Sequence, residues 1–505
     1  MTVKPEAIAF FSLFTALAPL VAQSPAAWAL ERYGSWTPNF GGDAPRLWTN
    51  SVPHDGSTSF ALTTTHGAPL SLAIAALSLA AVGVNVAGLE LNVDVSASVL
   101  LGPALLDSVG NGTVPLFLAP SPSLVDIEVY AQTFVLDASS ISPLGFTSSQ
   151  GLRFRTQRPA QVLLPCDVVS TPNDPIFAID PISGTVNTVP TSITTGYYAA
   201  YTRDGTRGLV VDRVGKRVLV FDTTGPVPVF SSMFAMAQPP AIDVQPVAGR
   251  VTPNGQFLLL PVAGLNQPSY SVEVWNVDPS SPAFGTLVGT VPQVSHAGSD
   301  LRISPDSRRA YLLNQVQTTS TFTTFSEIDI DPASPTFLTT LATIVPTRTS
   351  GGLTHGRGVA ISPDGARAYL GLWAVTSSPS QIAVVDLATM TQLDCDPTTP
   401  QLDNLIDVAV PVSPDMDLRG EELVVGESGS PARLHFVRAD PADPAFRTVR
   451  SVALPATPKW IVVSPAGDLV YVVMGSDLQE IETTGLSTTH TWSFPGHTLQ
   501  LPAIR

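Results

Sequence analysis

The stretch His355–Leu393, HGRGVAISPDGARAYLGLWAVTSSPSQIAVVDLATMTQL, reads as a four-strand antiparallel unit. Gly358–Ile361 is an apolar first strand. Ser362-Pro363-Asp364-Gly365 is the turn after it: the hydroxyl opens the turn, Pro sets the next φ, and Gly accepts the exit conformation. Ala368–Leu372 and Ile382–Val385 follow as second and third strands, and Asp386 opens a turn into a fourth. Versions of this unit recur from about residue 160 to the end, so the repeat decides the architecture.

Two signatures count the repeats. Turns of the first kind open at Thr202, Thr252, Ser304, Ser362, Ser413 and Ser464, spaced 50, 52, 58, 51 and 51 residues apart. An acidic residue closes the third strand at Asp180, Asp222, Asp278, Asp331, Asp386, Asp440 and Glu482, and Asp suits that place because its side chain bonds the backbone two residues on. Six turns against seven acids has a physical reading. The unit around Asp180 lacks a first strand, while the tail HTLQLPAIR (497–505) extends beyond a complete last unit. The tail is therefore expected to supply the innermost strand of the first unit and to close a seven-bladed β-propeller over residues 158–505, so that no inner edge is left unpaired.

Residues 30–157 read differently. The uncharged run 68–89 contains Gly, Pro, Asn and Ser and merges into the alternating LELNVDVSASVLL, which favours sheet strands over a membrane span. VPLFLAP (114–120), LVDIEVYAQTFVLD (124–137) and GLRFRT (151–156) are further short strands, and together they predict a β-sandwich domain. Residues 1–29 read as an export signal: Lys4 precedes the uncharged run Ala7–Ala22, and Ala27-Trp28-Ala29 has the small-x-small cleavage pattern. The fold class is thus all-β, and the expected setting is secreted, extracellular or cell-surface, with the periplasm as a variant.

Charge narrows the partners. A formal net charge of −16 with 25 Lys and Arg lacks the clustered cations that nucleic acid or an anionic membrane surface requires. The two cysteines, Cys166 and Cys395, fall in the first and fifth repeats, so a closed ring keeps them beyond the roughly 7 Å Cα limit for a bridge. They are expected to be separate thiols.

Ligands of a propeller meet it along its axis, where the segments leading into the inner strands converge. Those segments hold Asp243, His296, Asp300, His355, Arg357, Asp407 and Lys459, the candidate ligand-binding residues at the channel mouth. His296 and His355 with Asp300 or Asp407 form a mixed nitrogen and oxygen set, but their offsets differ between repeats, and a metal site needs three or four converging ligands. Arg357 and Lys459 would suit a small anion. No Gly-x-Ser-x-Gly elbow and no phosphate-cradling or dinucleotide loop occurs, so neither a catalytic residue nor a cofactor is assigned. Arg250 and Arg302 are expected to pair with carbonyls or carboxylates of neighbouring blades.

The repeat SPDG…AYL…IAVVDLAT resembles the YVTN-type, surface-layer-like seven-bladed propellers, a family that grades into lactonase-like propellers; the N-terminal strands resemble a small β-sandwich module of secreted bacterial proteins. The N-terminal resemblance implies an accessory or attachment module; composition, with no catalytic constellation against it, points to a monomeric, non-enzymatic scaffold that binds a protein, glycan or cell-envelope component through a propeller rim. The alternative that the propeller resemblance leaves open is a lactonase-like hydrolase acting at the channel mouth.

Overall fold

The computed structural model describes residues 30–504, with breaks at 54–59, 119–126, 156–160, 168–173, 238–243, 265–269, 316–322, 349–353, 375–379 and 417–421 and at a few points of one to four residues. The expected signal at 1–29 lies outside the described residues. The chain divides into two compact units, the second beginning at Ala160. Both are built of antiparallel strands, and the only helical turn among the described residues is the 3-10 turn Val95–Ala97, capped by the Asp94 side chain.

In the N-terminal unit, Leu30–Tyr33, Gly151–Arg155, Glu128–Leu136, Leu72–Ser78 and Val99–Leu105 pair in that order, and Phe146–Ser148 adds to Glu128–Leu136. A second sheet pairs Arg46–Thr49, Ala61–Thr65 and Gly112–Pro115. Leu47 and Leu62 of the smaller sheet, with Phe60 just before its second strand, share one apolar cluster with Ala75, Leu77, Val129, Leu152 and Phe154 of the larger. Alternation along each strand produces this arrangement by sending every second side chain to the shared face.

The C-terminal unit is a β-propeller. Among the described residues, seven successive antiparallel sheets follow one another along the chain. Their inner strands are Gly196–Tyr201, Val244–Pro246 with Arg250–Val251, Ala297–Ile303, Thr354–Ile361, Pro411–Met416 and Trp460–Val463 for sheets two to seven. The first sheet takes its inner strand from the C-terminus. Thr498–Leu499 pairs with Cys166–Asp167, and Ala503–Ile504 pairs with Val162–Leu163 of the strand Val162–Asp167. The expected closure is therefore present.

Packing shows why these sheets form a ring. Each junction between neighbours is filled by one buried apolar cluster: Leu163 and Ile176 meet Val210 and Leu219, Leu209 and Val211 meet Leu258 and Leu260, and so on around to Val424 and Phe436 against Ile461 and Val472. The seventh cluster joins the last sheet to the first through Tyr471, Val473 and Trp492 against Val162, Leu164 and Leu499. Both faces of each sheet are thus covered, and the middle strands are correspondingly continuous apolar runs such as Leu209-Val210-Val211 and Val470-Tyr471-Val472-Val473.

The turns follow their chemistry. Gly205, Gly255, Ser307 and Gly365 each donate their N–H to the carbonyl three residues back, at 2.7–2.9 Å, and all four have positive φ, between 61° and 77°. Ser307 shows that this exit conformation does not demand glycine. One expected turn is corrected: Ser413-Pro414-Asp415-Met416 lies inside the inner strand Pro411–Met416, with the register shifting between Val412 and Asp415. A Ser-Pro pair suits an irregularity within a strand as well as a turn, since Pro removes a ladder donor in either setting. Pro465, Ala466 and Gly467 lie outside the described residues. The repeated DPSSPAF, DPASPTF and DPADPAF segments precede outer strands and place Phe284, Phe337 and Phe446 against three different junction clusters.

Candidate functional site

Because the second strand of each sheet runs against the first, residues that open an inner strand and residues that close a second strand share one end of the ring, the leading end. There His355 faces Trp373, Gly196 faces Asp212, and Thr498 faces Asp167. The inner strands of the second, fourth, fifth and sixth sheets each break register near this end, at Tyr197, Ser299, Arg357-Gly358 and Ser413-Pro414. A bulge leaves a residue unpaired in the ladder and re-aims its side chain, a device common beside binding sites. Two of these residues, Tyr197 and Arg357, stand in cation–aromatic clusters.

In the fifth sheet the Arg357 guanidinium carbon lies 4.5 Å from the Trp373 ring centroid, and the His355 ring lies 5.3 Å from it. Such a contact contributes about 0.5–2 kcal/mol, depending on how far the cation is removed from water. Burial, and then the Arg357 charge, hold the His355 pKa below its usual 6.5. The imidazole is therefore neutral at pH 7, with one ring nitrogen a donor and the other an acceptor.

The second cluster lies where the seventh, first and second sheets meet. Arg213 stands 5.0 Å over the Tyr197 ring, and Tyr197 makes an edge contact with Trp460 at 6.3 Å between centroids. Lys459 Nζ donates to Gln500 Oε1 at 2.9 Å. Burial pushes the Lys459 pKa down; Asp167 opposes that shift and Arg213 adds to it, so both charges are felt at Lys459. Arg213 Nε and Trp460 Nε1 are buried with no hydrogen-bond partner among the described residues.

The remaining candidates are placed as follows. Asp300 is buried within its inner strand and ties three sheets together: Arg250 reaches it at 3.3 Å, Arg302 at 3.6 Å, and the Val359 N–H donates to it at 3.1 Å. Arg302 Nε also donates to the Val359 carbonyl at 2.7 Å, so both arginines pair across blades as expected. Asp407 lies not on a segment leading into an inner strand but on Ile406–Val408, which pairs outside the third strand of the fifth sheet; there it accepts from Gln381 at 2.7 Å. The long connection after Leu393 adds this extra strand, which spacing alone did not show. Asp243 and His296 lie outside the described residues. Among the described residues no three His, Cys, Asp or Glu side chains gather to hold a metal ion.

The structure also shows a trio that the sequence reading missed. His435 Nδ1 lies 2.8 Å from Ser451 Oγ, and its Nε2 lies 3.0 Å from Glu427 Oε2. The three residues come from consecutive strands of the sixth sheet, with His435 and Ser451 in register. No sequence motif marks them, because cross-strand register alone makes them neighbours.

No protein-family model matches the chain, and no curated protein matches it. Solved structures that resemble it include Kuenenia stuttgartiensis hydrazine synthase, at 15% identity over 64% of this chain and 90% of that one, with a TM-score of 0.46. A provisionally named 6-phosphogluconolactonase from Bacteroides uniformis is 13% identical over 69% of this chain and 100% of its own, at 0.48. A second one, from Bacteroides fragilis, is 14% identical over 69% and 98%, at 0.46. Likenesses of this size carry no argument about activity, and the propeller rests here on strand pairing and junction packing.

Proposed function

We propose that the chain is an exported, monomeric recognition protein whose propeller presents its leading end to a protein, glycan or cell-envelope component. The observation that carries this reading is the recurrence of inner-strand bulges at that end, two of which set a side chain into a cation–aromatic cluster. Aromatic faces and guanidinium groups contribute heavily to recognition because they bury area with little loss of conformational freedom. On this reading the seven sheets are the whole ring, the propeller is a distant relative of the surface-layer-like group, the N-terminal unit is an accessory β-sandwich, and export removes residues 1–29. The exported protein should then begin at Leu30.

The test is binding of the purified exported chain to isolated bacterial envelopes and to a glycan array. Arg357→Gln and Arg213→Gln should each weaken binding, while Arg308→Gln should not, since Arg308 follows a turn at the opposite end of the ring. Loss of binding in Arg308→Gln alone would overturn the assignment of the leading end.

A second reading, a hydrolase, is favoured by the Ser451–His435–Glu427 trio. A hydroxyl within hydrogen-bond reach of an imidazole that a carboxylate orients is the arrangement that activates a serine. Ser451 Oγ would attack an ester or lactone carbonyl, its proton passing to His435 Nδ1 while Glu427 stabilises the imidazolium; the C–O bond would break as His435 returns that proton to the leaving alkoxide, and water, deprotonated by His435, would then cleave the acyl group from Ser451, which takes the proton back. A fluorophosphonate probe that labels Ser451 in the wild type but not in His435→Gln would favour this reading, and an unlabelled Ser451 would dismiss it.

A further inference from the structure

We propose that Arg213, Lys459 and Trp460 form a subsite for a carboxylate at the seam of the seventh, first and second sheets, and this inference rests on the recognition reading of the leading end. The seam is where the C-terminal strand closes the ring, so Gln500 joins residues from both ends of the unit. Its hydrogen-bonding capacity is one-sided. Arg213 Nε–H and Trp460 Nε1–H are buried donors with no acceptor among the described residues, and an indole N–H and a guanidinium can only donate. A ligand that satisfies them must bring acceptors.

Charge selects among acceptors. Lys459 feels one carboxylate, Asp167, and one further cation, Arg213, so two positive charges stand against one negative one. A monoanion neutralises the group, whereas a dianion overshoots it and a neutral ligand leaves a buried charge unpaired. Geometry agrees. The guanidinium carbon of Arg213 lies 5.0 Å over the Tyr197 ring, and a planar guanidinium with Nε–H free matches a carboxylate through two parallel hydrogen bonds. Tyr197 itself sits at a bulge, so the irregularity in the inner strand positions the ring on which Arg213 rests.

The experiment is calorimetric titration of the full exported chain at low salt with glucuronate, acetate, glucose and inorganic phosphate. Glucuronate and acetate are expected to bind, glucose not to bind, and phosphate to bind more weakly than acetate. Arg213→Gln and Lys459→Met should each weaken acetate binding at least tenfold, and Trp460→Phe, which keeps an aromatic ring and loses only the N–H, about threefold. Arg308→Gln, at the opposite end of the ring, should change it less than twofold. Equal binding of glucuronate and glucose, or unchanged acetate binding in Arg213→Gln at native melting temperature, would overturn the subsite. If acetate fails to bind while leading-end variants still lose envelope binding, the carboxylate assignment falls and the recognition reading stands.

Discussion

At the residue scale, the same chemistry serves structure in one place and recognition in another. Asp300 has its acceptors occupied by Arg250, Arg302 and the Val359 N–H, so it serves as a clasp between blades. Asp300→Ala leaves two half-buried guanidinium groups without their carboxylate, and should lower unfolding stability by roughly 3 kcal/mol in urea titration. His355 behaves differently because its folded pKa is depressed below 6.5, so folding favours its neutral form. The protein is then expected to lose stability as pH falls from about 6.5 through the lower folded pKa, and His355→Gln should flatten that part of a melting-temperature profile. Cys395, pushed up to about 11 by burial, and Cys166, raised further, are free thiols. Both should resist a disulfide reagent at pH 8 in the folded protein and react on denaturation.

At the scale of elements, the closing strand matters most. Leu501 is buried in the cluster between the second and third sheets and bridges Tyr198, although it lies between the two strand segments that complete the first. A charge placed there meets apolar neighbours on every side, so Leu501→Asp should cost about 3 kcal/mol or more, read from chemical denaturation. The bulges carry a different lesson. Apolar alternation announces each inner strand, but one extra residue in a strand leaves no mark on composition, so the positions of Tyr197 and Arg357 emerge only from pairing with the second strand.

For the whole molecule, every blade shares its core with two neighbours, so damage at one junction should be felt around the ring. Leu164 is fully buried between the last and first sheets. Leu164→Ala should cost about 2–5 kcal/mol and lower the unfolding midpoint together for probes on the second and fifth sheets, such as Trp fluorescence and exchange of the Val210 and Leu370 amides. A shift confined to one sheet would mean that blades unfold singly. The net charge of −16 acts at this scale too, and makes a carboxylate ligand a matter of local cations rather than of overall attraction.

Much of the architecture was legible from the chain. Turn residues at near-regular spacing, third-strand acids and a C-terminal remainder without a partner in its own repeat pointed to successive sheets and their closure, because local turn chemistry and strand alternation are written residue by residue, although the Ser413 turn proved to lie within a strand. The site was less legible. Lys459, His355 and Arg357 could be named by their position ahead of inner strands, yet Arg213, Tyr197 and Trp460 carry no motif that singles them out, Asp407 belongs to an added outer strand, and Ser451 and His435 meet only through register. What the sequence determined by itself was the repeating antiparallel sheet and the pairing of the C-terminus with the first of them. Only the tertiary structure decided which polar groups face one another, because that depends on strand register and on which blades touch, and neither is carried by any single repeat.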